Sequence, residues 1–209
     1  MPSQINFNQY KRILEINRYA QKFWSNMSND LFAGTFKDYK LPIIYNPDYI
    51  KKNTSESTSG VTSELTLTNG NKLSYVEISC DDRLSIIDMK SAVRHEAMHF
   101  ALKIIGVKSD DNSAIFRIIS EIYNGNFYGV LNSIEEKIYK LSFSAAEEAI
   151  KTASEYPNDL DLKVHILVLL EEIGNVKYQT EEDIPKLEAK ISMFQIGLNK
   201  RKNELSNIK

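Results

Sequence analysis

Cysteine is nearly missing from this chain: of 209 residues only Cys80 carries a thiol. No intrachain disulfide can form and no four-cysteine zinc ribbon can be built. A lone thiol suits a reducing compartment, so the expected location is the cytoplasm. Charge excess is missing too, with 26 Lys and Arg against 28 Asp and Glu, a formal net charge of −2 and a pI near 6.0. A general nucleic-acid binder carries a basic surplus, so nucleic acid is not an expected partner. Lys51-Lys52 and Lys200-Arg201-Lys202 read as solvated surface. Long apolar runs are lacking as well. The densest, residues 164–170, falls short of the roughly 18–20 residues of a membrane span, and no membrane association is expected. Met1-Pro2-Ser3-Gln4-Ile5-Asn6 has no basic segment followed by an apolar one, so no secretory signal is expected. What remains, 42% hydrophobic and 26% charged, is ordinary for a soluble globular protein of one domain, or one domain and an appendage.

Periodicity divides the chain. Over residues 6–33, Tyr10, Ile13, Leu14, Ile16, Tyr19, Ala20, Phe23 and Trp24 recur at three- and four-residue steps and predict a helix. Asn6 or Asn8 is its candidate cap, and Gly34 lies just beyond its end. Leu41-Pro42-Ile43-Ile44-Tyr45 suits a strand starting after a proline, while the polar residues 51–60 read as a loop. Residues 61–67 and 73–78 alternate apolar and polar on either side of Asn69-Gly70, a strong hairpin signal. A small antiparallel sheet of three or four strands is expected. From Ser85 the helical period returns through Met89, Val93, Ala97, Phe100 and Ala101, with Gly106 as C-cap. A polar loop at 108–113 precedes another helix ending near Tyr123-Asn124-Gly125. Beyond residue 129 every pattern is helical: 133–156, 160–173, and a third stretch from about Thr180 whose polar end, from Asn199, is expected to fray. The predicted class is α+β, with a first domain over residues 1–128 and an all-helical extension over 129–209.

One segment carries chemistry. His95-Glu96-Ala97-Met98-His99 holds two of the chain's three histidines on a helical stretch. Four residues advance a helix by about 40° beyond one turn, so both imidazoles leave one face, where a tetrahedral zinc ion can meet both. Glu96 then lies beside the metal rather than on it, placed to take a proton from an activated water and give it to a leaving amine. A His-Glu-x-x-His match arises by chance in a chain of this size on the order of once in a hundred or less. The plain alternative is a surface helix with two solvated histidines. The flanking Val93, Ala97, Phe100 and Ala101 make this helix largely buried, however, and buried imidazoles without partners are costly. A catalytic zinc takes a third protein ligand. His165, among Val164, Ile166 and Leu167, reads as structural or surface. Asp110, Asp111 and Glu121 remain, although the first two can equally cap a helix starting near Ser113 and Glu121 can equally be a solvated helix residue.

Val93-Arg94-His95-Glu96-Ala97-Met98-His99-Phe100-Ala101-Leu102, then Gly106, Asp111 and Phe116, resembles the SprT-like metallopeptidases. Asn17-Arg18-Tyr19-Ala20-Gln21-Lys22-Phe23-Trp24, Leu41-Pro42-Ile43-Ile44-Tyr45-Asn46 and Tyr75-Val76-Glu77-Ile78-Ser79 sit where that family has its first helix and strands, so the resemblance covers about residues 10–125. It implies a zincin fold, with a small sheet beside the metal-bearing helix and a substrate backbone laid along the sheet edge. It also implies a third ligand from the loop after that helix, just before the aromatic that corresponds to Phe116. This ligand is commonly histidine, and aspartate in some relatives. Asp111 or Asn112 holds that place. Asparagine is a poor zinc ligand, so Asp111 is preferred over Glu121. The chain departs from the family in lacking the third histidine and the zinc ribbon that often follows the catalytic domain. The DNA-linked proteolysis of eukaryotic members therefore does not transfer to it.

The expectation is a zinc metallopeptidase acting on a protein or peptide, with His95, His99 and Asp111 holding Zn2+ and Glu96 as general base. The C-terminal helices would recruit a substrate or partner protein, or simply complete the core. The alternative is an accessory protein of a phage or mobile element that uses a zincin scaffold to occupy a partner. The missing third histidine favours that alternative. The retained Glu96, of no use to a purely structural zinc, argues against it.

Overall fold

The computed structural model describes residues 5–32, 39–51, 57–107, 110–175, 177–178 and 180–207, and Gly34 lies outside them. The described residues form an α+β protein of six α-helices, a three-stranded mixed sheet and a two-stranded one. Two compact units are distinguished, Met1–Ser25 with Tyr39–Ala101, and Asn26–Asp38 with Leu102–Lys209.

Helix α1 (Phe7–Leu31), in the first unit as far as Ser25, begins at a reciprocal cap. The Gln9 N–H donates to Asn6 Oδ1 and the Asn6 N–H to Gln9 Oε1, both at 2.9 Å. Its stripe of Ile16, Ala20 and Trp24 is buried, with the Trp24 ring edge-on to Phe100 at a centroid distance of 5.4 Å. Tyr10 and Leu14, of the same predicted stripe, are exposed.

Strands β1 (Ile43–Asn46), β4 (Gly60–Thr66) and β5 (Lys72–Ser79) form the larger sheet in the order β1-β5-β4, while β2 (Ile50–Lys51) and β3 (Ser57–Thr58) pair separately. The loop expected at 51–60 thus contains short strand segments, and residues 52–56 lie outside the described residues. β4 and β5 are antiparallel, from Gly60 opposite Ile78 to Thr66 opposite Lys72. Gly70 closes their turn at φ +82°, its N–H donating to the Leu67 carbonyl, a backbone conformation that glycine adopts without steric cost.

The sheet contains the expected antiparallel hairpin but is mixed, because β1 and β5 run parallel, Ile43 opposite Val76 through Asn46 opposite Ser79. Alternation marks a segment as a strand but does not choose its neighbour. β1 ends beside Ser79, at the end of β5 where β4 begins. The chain turns back through β2 and β3, so β4 runs against β1, and the returning arm of the hairpin inserts between them.

Helix α2 (Ile86–Ile104) is fixed at both ends. Ser85 and Asp88 cap each other, each N–H donating to the other side chain at 3.1 Å. At the far end the Val107 N–H reaches the Leu102 carbonyl and the Gly106 N–H reaches that of Lys103, with Gly106 at φ +75°. This paired arrangement terminates helices on a left-handed residue. Met89, Val93, Ala97, Met98 and Ala101 are buried along it.

The second unit contains helices α3 (Ala114–Ile122), α4 (Ser133–Glu155), α5 (Leu160–Ile173) and α6 (Ile184–Ser206), with α3 against α4, α4 against α5 and α6, and α5 against α6. Ile115, Phe116, Ile119, Ala149, Ile166, Leu170 and Leu187 fill its core. Asn132 caps α4 and Asp159 caps α5. The predicted fraying from Asn199 is not observed, since α6 stays helical to Ser206. Leu198 is buried there, Arg201 Nη2 pairs with Asp159 Oδ2 at 2.8 Å, and Lys202 pairs with Glu148 at 2.8 Å. Among the described residues no helix is long and apolar enough to cross a membrane.

Between α5 and α6, Glu172 accepts from Lys190 Nζ at 2.8 Å, from the Tyr178 hydroxyl at 2.6 Å and from Lys177 Nζ at 3.2 Å. Led by the Lys190 bond, these donors hold its carboxyl at about 2 against an ordinary 4.5. A depressed carboxylate stabilises the fold fully above its unfolded value, and that contribution disappears as pH falls towards the folded one. Thermal unfolding followed from pH 5 to pH 2 is therefore expected to show a falling Tm. Glu172→Gln should flatten that fall by a few degrees, on a scale of about 2–4 °C per kcal/mol.

Candidate metal centre

The turn of α2 across residues 95–99 brings His95 Nε2 and His99 Nε2 to 3.2 Å, with the ring planes at 76°. Two nitrogens bound to one tetrahedral zinc at its usual bond length stand about 3.3–3.4 Å apart, so the pair has the spacing a shared ion requires. The same approach without a cation is a hydrogen bond, one ring donating and the other accepting. Both rings are half-buried.

The third sequence-derived ligand, Asp111, is an exposed residue of the turn before α3. The two histidines belong to the first unit and Asp111 to the second, and each offers a ligand atom of a type that zinc takes. Asp111 does not cap α3. That role falls to Ser113, whose Oγ accepts from the Phe116 N–H, while the Asp110 carbonyl accepts from Ser113. Glu121, the other candidate, is engaged elsewhere: Arg117 Nε donates to its Oε1 at 2.9 Å and the Tyr139 hydroxyl to its Oε2 at 2.6 Å. His165 belongs to α5, its Nδ1 2.8 Å from the Asp161 carbonyl and its ring beside Phe194.

Glu96 lies one residue further round α2 than His95 and is buried at 7% exposure. Its Oε2 accepts from Thr62 Oγ1 at 2.8 Å, and the same hydroxyl lies 3.0 Å from the Glu96 carbonyl oxygen. One proton thus serves both acceptors. Two residues earlier on β4, Gly60 makes room for this side chain. A Cβ added there would stand 2.8 Å from Glu96 Cγ and 3.3 Å from Oε1. The chemistry this permits is clear: a fixed, buried carboxylate adjoining two imidazoles that converge on one point. β4 itself pairs with β5 alone among the described residues, so the strand that steadies Glu96 is a sheet edge.

Sequence reasoning missed Thr62 and Gly60. Both lie in a different element from the motif, with Thr62 34 residues before Glu96. The available signal was an isolated glycine at a strand start, which marks close approach of another group.

Thr62→Val removes the donor while keeping the shape. It leaves a buried carboxylate with one partner fewer, and chemical denaturation should register a loss of about 1–3 kcal/mol. Thr62→Ser, which keeps the hydroxyl, should lose distinctly less. Equal stability of the two variants would contradict the role given to this bond.

Comparison with protein-family models, with curated proteins and with solved structures finds no match for the chain.

Proposed function

We propose that this protein is a zinc-dependent metallopeptidase of the SprT-like type, built on a zincin-like domain and hydrolysing peptide bonds in a protein or peptide. The observation that carries this reading is the convergence of His95 Nε2 and His99 Nε2 at 3.2 Å on the helix that also bears the buried Glu96. The donor types fit zinc: two imidazoles, with the Asp111 carboxylate as the proposed third ligand, which leaves a fourth position open. When bound, zinc lowers the pKa of water to about 7 and polarises a carbonyl. His95, His99 and Asp111 hold the ion. Glu96 accepts the proton of the attacking water through its carboxylate and passes it to the departing amine. Thr62 keeps that carboxylate from turning away. The edge of β4, paired with β5 alone among the described residues, offers main-chain groups to an extended substrate, which would bring a peptide bond alongside Glu96.

The second reading, favoured by the lack of a histidine in the loop after α2, where Asp111 and Asn112 stand, is a binding protein on the same scaffold. A buried glutamate held by its own donor and glycine gap has no purpose there.

Metal analysis of purified protein should give about one zinc per chain, and His95→Ala should lower that occupancy. Glu96→Gln should keep the zinc while hydrolysis of a fluorescent casein falls by about 10²–10⁴-fold, the usual contribution of a general acid–base group. Zinc-free wild-type protein, or a Glu96→Gln variant with undiminished hydrolysis, would refute the proposal. Biological activity that survives Glu96→Gln would favour the binding reading.

A further inference from the structure

Asp111 sits in a turn whose position is set by the chain that follows α3. The ring of Phe127 lies 6.5 Å from that of Phe116 and has the Arg117 guanidinium 5.7 Å above it, which ties the segment to α3. Further on, the Val130 N–H donates to Asn112 Oδ1 at 2.9 Å. Gly129, between these anchors, lies directly on the backbone of Asp111. An added Cβ would overlap the Asp111 carbonyl oxygen and stand 2.5 Å from its carbonyl carbon and 2.8 Å from Asn112 Oδ1. Cβ atoms essentially never approach closer than 3.0 Å, and here the obstacle is backbone, which cannot swing aside as a side-chain tip can.

Gly129 does not adopt a positive φ, in contrast to Gly70 and Gly106. A left-handed backbone is therefore not what requires glycine here; the space its missing side chain leaves is. That space is filled by the residue proposed as the third metal ligand. The flanking Tyr128 and Val130 are exposed at 71% and 82%, so the segment's contribution to the core is small beside its contact with the Asp111 turn.

We infer that Gly129 and Asn112 are positioning residues for the metal site: the segment from Phe127 to Val130 is a strap that fixes the Asp111 backbone and thereby the place of its carboxylate. Asn112, a poor ligand in its own right, acts by accepting the Val130 N–H. The inference rests on the reading of Asp111 as a zinc ligand.

The test compares Gly129→Ala, Asn112→Ala and Asp111→Ala with the wild type in the full chain. It measures zinc affinity by competition with a chelator, the absorption spectrum of the cobalt(II)-substituted protein, and the Tm of the metal-free protein. Loss of an outer-shell support typically costs 10–100-fold in metal affinity. Gly129→Ala should fall in that range and Asn112→Ala near its lower end. The cobalt(II) spectrum of Gly129→Ala should shift towards that of Asp111→Ala. Adding Asp111→Ala to Gly129→Ala should cost little more, because both remove the same ligand.

A strap that only supports the fold would lower the metal-free Tm and leave the zinc affinity of folded protein unchanged, which would overturn the inference. Wild-type affinity in both Gly129→Ala and Asn112→Ala, with Asp111→Ala weakened, would overturn the strap and leave the ligand standing. Wild-type affinity in Asp111→Ala would remove the ligand assignment and the strap together. If Gly129→Ala fails to fold, Asn112→Ala decides by the same criteria.

Discussion

The pitch of α2 is the constraint on which the site depends. Two Nε2 atoms reach 3.2 Å only if the helix keeps a regular turn across residues 95–99. The caps at Ser85 and Gly106 close the helix at both ends. The buried Met89, Val93, Ala97, Met98 and Ala101 fix its rotation, because turning the helix would carry them towards water. With rotation fixed, each residue of the motif has one direction. His95 and His99 share a face, and Glu96, about 100° further round, meets Thr62 on β4.

The sheet supplies the other half of that arrangement. β5 is its centre, with Val76 and Ile78 buried, and β4 is left at an edge. An edge strand is ordinarily a liability, since its unpaired main-chain groups invite association with another chain. Here the edge carries Gly60 and Thr62, the two residues that seat Glu96. On the proposed reading, the edge of β4 and the general base are therefore addressed by one peptide substrate.

In the second unit, polar contacts do for the C-terminal helix what propensity alone does not. Exposed ion pairs are individually weak. Asp159, however, is nearly buried at its side chain, caps α5 through the Leu162 N–H and receives Arg201 from α6. One carboxylate thus joins a helix start to the last turns of the chain, and α6 persists where its composition suggests fraying.

The amino-acid sequence by itself determined the features that depend on a few consecutive residues. The cap at Asn6, the turn at Gly70, the ends of α2 and α5, and the pairing of His95 with His99 all follow from local backbone geometry, in which hydrogen bonds span three to five residues. Tertiary structure alone decided which strand neighbours which, that Thr62 and Gly60 meet Glu96, that Ser113 rather than an aspartate caps α3, and that Gly129 lies on Asp111. Such contacts join residues far apart in sequence, where periodicity carries no information about the partner. They are settled by how buried faces pack and by where a missing side chain leaves room. The approach of His95 and His99 was therefore legible from their spacing, while the residues that steady Glu96 became visible only once the chain was folded around them.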